Sequence, residues 1–196
     1  MRQLSIALIA LSIFTTGYAH ADAQNFQGLR VGGNLNMTGA STKVTNSSST
    51  DGSFGANNVG GGLSLAYTQR ISKKTVIGIG GTFSNSKFKA GTDSANTIIK
   101  GKNIWTAYVE PGVVVGEDTL IYAKAGYAGM KGTIDEFATE HSFSGYMYGL
   151  GIRTMVDANV YMEVEALQYV FNSKTINSAI YDIKATQANV GLGYKF

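Results

Sequence analysis

Apolar residues fall on every second position in eight separate segments of this chain, and that period constrains its fold more than any other feature. Successive side chains of a β-strand point to opposite faces, so each segment reads as a strand with one greasy face. From Gln27 to Met37 the greasy set is Leu29, Val31, Leu35 and Met37, against Gly28, Arg30, Gly32, Asn34 and Asn36. The stretches 59–67, 77–83, 105–115, 120–128, 146–153, 160–169 and 185–196 repeat the pattern.

The remaining question is which solvent the greasy faces meet. A soluble sandwich or lipocalin-type barrel buries them and shows a polar face to water. Here the other face is mostly glycine, serine and alanine with a few charges, which makes a poor solvated exterior. Tilted strands of about 9 to 11 residues cross a hydrocarbon layer. Connections also alternate in length. Short turns fall around 72–74, 116–118 and 157–159, and long connections span roughly 38–58, 87–103, 132–143 and 172–184. Short turns at one end and long loops at the other are the arrangement of a transmembrane barrel. The expected fold is therefore all-β: an eight-stranded antiparallel up-and-down transmembrane β-barrel over residues 22–196. Phe26, Tyr67, Phe83, Trp105, Tyr127 and Tyr146 stand at strand ends, where interfacial girdles are expected. The last segment must pair with the first, because an open sheet edge is not tolerated in lipid.

Composition agrees with an exported membrane protein. Arg2 precedes the apolar run LSIALIALSIF, and Ala19-His20-Ala21 follows as a small-x-small cleavage pattern. The run is too short to span a bilayer, so residues 1–21 are expected to be an export signal removed before Asp22. Ala21-Asp22-Ala23 leaves a cut after Ala23 open as well. With no cysteine, neither disulfides nor thiolate metal sites hold the chain. Only 15% of residues are charged and proline occurs once, which excludes a disordered chain. A scattered net charge of +3 gives no footprint for nucleic acid.

The alternating segments and the terminal VGLGYKF resemble the small outer-membrane β-barrel superfamily of Gram-negative bacteria, the OmpA/OmpX-like group. The segments YVEPG (108–112) and YAKAGYA (122–128) are similar to a central hairpin common there. The resemblance implies residence in the outer membrane. It also implies that Val190, Leu192, Tyr194 and Phe196 form the assembly signal read by the barrel-assembly machinery.

With the greasy face outward, Arg30, Glu110, Lys124, Arg153, Glu163 and Glu165 point inward, three positive and three negative. Three-residue turns at 116–118 and 157–159 would set Glu110 opposite Lys124 and Arg153 opposite Glu163. The expected result is a neutral interior network that plugs a barrel about wide enough for its own side chains. Tyr108, Tyr122, Tyr161 and Tyr169 would fill the space left by inward glycines. A path for ions along the same residues is the alternative.

Candidate catalytic groups are few. His141 sits in ATEHSFSG beside Glu140, Ser142 and Ser144, a loose likeness to barrel-embedded lipid A deacylases whose His-x-Ser-Asn-Gly motif it does not match. Adjacent strand residues face opposite sides, so His141 and Ser142 do not make a base and nucleophile. Gly60-Gly61-Gly62 lies within a strand and lacks the helix and lysine of a phosphate loop. Asp51, Asp93, Asp135 and Asp182 lie in different loops, so neither a metal site nor a cofactor is assigned. The basic second loop, with Lys87, Lys89, Lys100 and Lys102 against Asp93, could contact anionic lipopolysaccharide or a host surface. The expectation is a monomeric, non-enzymatic outer-membrane barrel with a structural or surface-interaction role. A narrow diffusion channel is the second reading, and a lipid-modifying enzyme the third.

Overall fold

The computed structural model describes residues 22–45, 50–54, 58–92, 98–134, 140–176 and 179–196. The expected signal segment and the tips of the long connections, with Asp93 and Asp135, lie outside the described residues. Eight strands form the wall: β1 (Gly28–Thr45), β3 (Asn58–Arg70), β4 (Thr75–Thr92), β5 (Ile98–Val115), β6 (Thr119–Ile134), β7 (His141–Met155), β8 (Val160–Phe171) and β10 (Ala179–Lys195). Two short strands, β2 (Thr50–Phe54) and β9 (Lys174–Ile176), add to β1 and β10 beyond it. Neighbours follow chain order, and β1 pairs with β10 from Arg30 opposite Lys195 to Thr45 opposite Ile180. The sheet is thus a closed antiparallel barrel, which lets strands cross lipid without unpaired backbone edges.

The closing seam explains one glycine. Gly28 has φ +128°, and a Cβ there would collide with the carbonyl oxygen of Phe196. The Phe196 N–H donates to the Leu29 carbonyl at 2.8 Å, which locks the last residue against the first strand. Short turns join the strands at the periplasmic end. The turn after β7 runs over 156–159, one residue longer than expected, yet Arg153 still stands opposite Glu163.

Outward positions form the apolar belt. Leu35, Leu63, Leu65, Ile79, Val109, Leu150, Val164, Val190 and Leu192 are all exposed. Phe83, Trp105, Tyr127 and Tyr146 rim it on the extracellular side: Phe83 stands opposite Trp105, and Tyr127 opposite Tyr146. Tyr67, Tyr194 and Phe196 are exposed at the other end. The long connections are shorter than the sequence predicted. Strand pairing continues to Thr45, Thr92 and Ile134 and resumes at Ile98, His141 and Ala179. A hairpin ladder satisfies backbone groups in water as it does in lipid, so nothing ends the strands at the membrane surface.

Phe26 does not join a girdle. It belongs to a 3-10 turn, Ala23–Phe26, which folds under the barrel. Asp22 caps the turn by accepting from the Gln24 N–H at 2.9 Å and pairs with Arg70 at 3.2 Å. The Ala23 N–H donates to the Lys73 carbonyl at 2.9 Å. These ties drive Phe26 into an apolar cluster with Val76, Val114, Leu120, Tyr122, Met155 and Tyr161 at the periplasmic mouth. A second apolar cluster, including Phe88, Ile104, Met130, Phe143, Leu167 and Ile183, fills the extracellular half.

Candidate functional site in the barrel interior

Between these two apolar clusters lies a charged layer. Arg30, Glu110, Lys124, Arg153, Glu163 and Glu165 come from β1, β5, β6, β7 and β8, and each is at most 5% exposed. Parity on each strand delivers them to the lumen, and the narrow barrel brings strands that are not neighbours within side-chain reach.

Glu110 is the hub. Its Oε1 accepts from Arg153 at 2.7 Å and from Arg30 at 2.9 Å, and its Oε2 accepts from Arg153 at 3.2 Å. Arg153 donates again to Glu163 at 2.8 and 3.0 Å. Lys124 pairs most closely with Glu165 and lies 3.7 Å from Glu110. The register expected from the turns therefore names a minor partner for Glu110. Backbone opposition fixes where a side chain starts, but long side chains crossing a lumen choose their partners by reach. The ladder between β5 and β6 also skips Glu110 and Pro111, between the pairs Val109–Ala125 and Gly112–Tyr122, where proline has no N–H to give.

Tyrosines complete the layer. Lys124 stands 4.3 Å over the Tyr108 ring and Arg153 4.5 Å over Tyr122, cation–π distances. The Tyr122 hydroxyl donates to Glu165 at 2.8 Å. Its ring fits because position 151 is glycine: a Cβ there would come within 2.6 Å of it. Sequence reading missed the polar partners. Thr68 accepts from Arg30 at 3.0 Å, Asn189 donates to Glu165 at 3.0 Å, and Gln187 joins Tyr169 to Thr38. Their inward parity was readable, since Gln187 and Asn189 alternate with outward Ala188 and Val190.

The other singled-out residues lie apart from this layer. Val190, Leu192, Tyr194 and Phe196 are exposed along the outer face of β10, with the last two rings edge to face at 4.9 Å. His141 opens β7 opposite Gly132, while Ser142 lies opposite Lys131. Gly60 to Gly62 lie within β3. No metal-ligating cluster occurs among the described residues.

At the extracellular rim, Glu140 bridges Lys102 and Lys131, the latter at 3.4 Å. The hydrogen bond from Lys102, reinforced by Lys131, holds its carboxyl below the usual carboxylate range. A carboxylate depressed in the folded state supports the rim above its unfolded pKa and loses that support as pH falls through the folded one. We expect Glu140 to titrate below free glutamate by NMR and to move upward in Lys102→Gln. A midpoint at the free value would rule the bridge out in solution.

The description "Outer membrane protein beta-barrel domain" matches residues 6–196 of this chain. Among curated proteins, none matches it. Among solved structures, the outer membrane protein OprG from Pseudomonas aeruginosa is similar at 13% identity and a TM-score of 0.53, covering 87% of this chain and 96% of that one. Ail of Yersinia pestis, solved with the heparin analogue sucrose octasulfate, is similar at 14% identity and a TM-score of 0.48, covering 87% and 99%. The closed barrel, the lipid-facing belt and the family match over nearly the whole chain agree: this chain belongs to the outer membrane protein beta-barrel domain family.

Proposed function

We propose that this protein is a non-enzymatic outer-membrane barrel whose lumen is plugged and whose role is structural or surface-interacting. One observation carries the reading. Three positive and three negative side chains bond to one another across the lumen, so a continuous water path would have to break those pairs and hydrate them separately. Breaking buried pairs without compensation is costly. In this role the protein is a monomer, exported by the cleaved signal 1–21. Val190, Leu192, Tyr194 and Phe196 present the assembly machinery with its signal. Outer-membrane lipids, lipopolysaccharide among them, surround its wall, and its extracellular end is the surface for a further ligand.

Single-channel recording in a planar bilayer tests the plug, with heat-dependent gel migration reporting that the barrel has formed. Folded protein is expected to be silent. Stable, reproducible openings would overturn the plug and make the six charges the lining of a narrow diffusion channel.

A further inference from the structure

Lysines cluster on the outer wall beyond the aromatic rim in an arrangement that local repulsion disfavours. Lys87 on β4 stands opposite Lys102 on β5, which stands opposite Lys131 on β6. In the next outward row, Lys89 stands opposite Lys100, which stands opposite Thr133. Five of six positions on this three-strand grid are therefore lysine. Side chains directly opposite start about 5 Å apart, and like charges so placed destabilise a sheet. Glu140 occupies only the Lys102–Lys131 end. Among the described residues, no carboxylate pairs with Lys87, Lys89 or Lys100.

A β-bulge aims two of the five lysines, Lys100 and Lys102, outward. Gly101 and Ile104 both face the lumen, three residues apart, so strict alternation is interrupted between them. The register shifts between Lys102 and Trp105, and Asn103 there has φ +54°, a left-handed conformation that asparagine tolerates better than most. Without the extra residue, Lys100 and Lys102 would point into the apolar cluster around Phe88 and Phe143. The inner row, Lys87, Lys102 and Lys131, lies two to four residues past Phe83, Trp105 and Gly129, which at about 3.3 Å per residue is headgroup depth, and Lys89 and Lys100 stand two residues further out. Lys87, Lys89, Lys100, Lys102 and Thr133 line a common recess of about 470 Å³.

We propose that this grid is a binding site for the phosphate of an anionic lipid headgroup in the surrounding leaflet. Lysine stems lie along the wall while their ammonium groups reach the headgroup layer, and a phosphate among them replaces repulsion with attraction. A soluble anion fits the charge but not the position, because the lysines stand on the outward face of the wall just beyond the aromatic rim. This site deepens the lipid-contact part of the function proposed above and is independent of the plug: an open pore would overturn the plug and leave the grid intact.

The test compares lipids retained by the whole refolded protein after extraction from vesicles, read by native mass spectrometry. Vesicles are phosphatidylcholine alone or a roughly 4:1 mixture with phosphatidic acid. Wild-type protein is expected to enrich phosphatidic acid, and Lys87→Gln/Lys89→Gln/Lys100→Gln to lose the enrichment at about fivefold per lysine. In phosphatidylcholine alone the triple variant should melt at the same temperature as wild type or higher, since repulsion has been removed. That keeps a folding defect from being mistaken for a binding one. Lys73→Gln/Lys74→Gln, at the periplasmic end, should keep the full enrichment. Equal enrichment by wild type and triple variant, or equal loss in the periplasmic variant, would overturn the site. Release of phosphatidic acid by dilute inorganic phosphate would overturn the lipid as its ligand and make it a free-anion site.

Discussion

Glu110→Gln is expected to destabilise the folded barrel by about 3–5 kcal/mol, the usual cost of removing one partner from a buried ion pair. Arg153 and Arg30 both bond to this carboxylate: Arg153 would keep Glu163, whereas Arg30 would lose its carboxylate and the layer would hold one uncompensated positive charge. Urea unfolding of vesicle-inserted protein measures the effect. The partner order separates this geometry from simple register. Double-mutant cycles with Glu110 should give the largest coupling to Arg153, which makes two bonds, then Arg30, and the smallest to Lys124 at 3.7 Å. Charge exchange between Glu110 and Lys124 should therefore fail to restore stability. Full restoration would show that cross-strand neighbours govern the layer. Replacing the whole layer with apolar residues of similar volume should cost less than Glu110→Gln alone, because no charge is then left unpaired.

Phe26→Ala is expected to cost about 3–5 kcal/mol, the range for an aromatic removed from a packed core. Phe26 is 1% exposed, and the residues around it are fixed on five strands and cannot collapse onto the vacancy. Phe26→Trp should also destabilise the protein, by about 1–3 kcal/mol of overpacking. An interfacial aromatic would behave differently: tryptophan is favoured there, and the Trp variant would equal wild type or exceed it. Urea midpoints for the two variants decide between these positions.

The difference over Phe26 shows where sequence reading stops. Its place just before the first alternating segment makes it look like a strand-end aromatic. It is instead withdrawn by contacts distant in sequence: Asp22 to Arg70, and the Ala23 N–H to the Lys73 carbonyl. The basic residues of the second long connection were legible as a cluster, but not as a surface. Period 2 assigns Lys100 and Lys102 to the lumen when counted from Trp105, and only the bulge at Asn103 reverses them. The lengths of the extracellular hairpins were likewise hidden, since their outward residues turn polar while the ladder continues.

What the sequence determined by itself was the number of barrel strands, their antiparallel order, the outward face of each and the six charges that face inward. These follow from local parity, which depends on nothing beyond a residue's position in its own strand. The tertiary structure decided which charges meet, which aromatic leaves the girdle for the mouth, and which lysines turn outward. Those outcomes depend on closure, because bringing eight strands around a narrow lumen places side chains from non-adjacent strands within bonding distance, and no period along the chain encodes that distance.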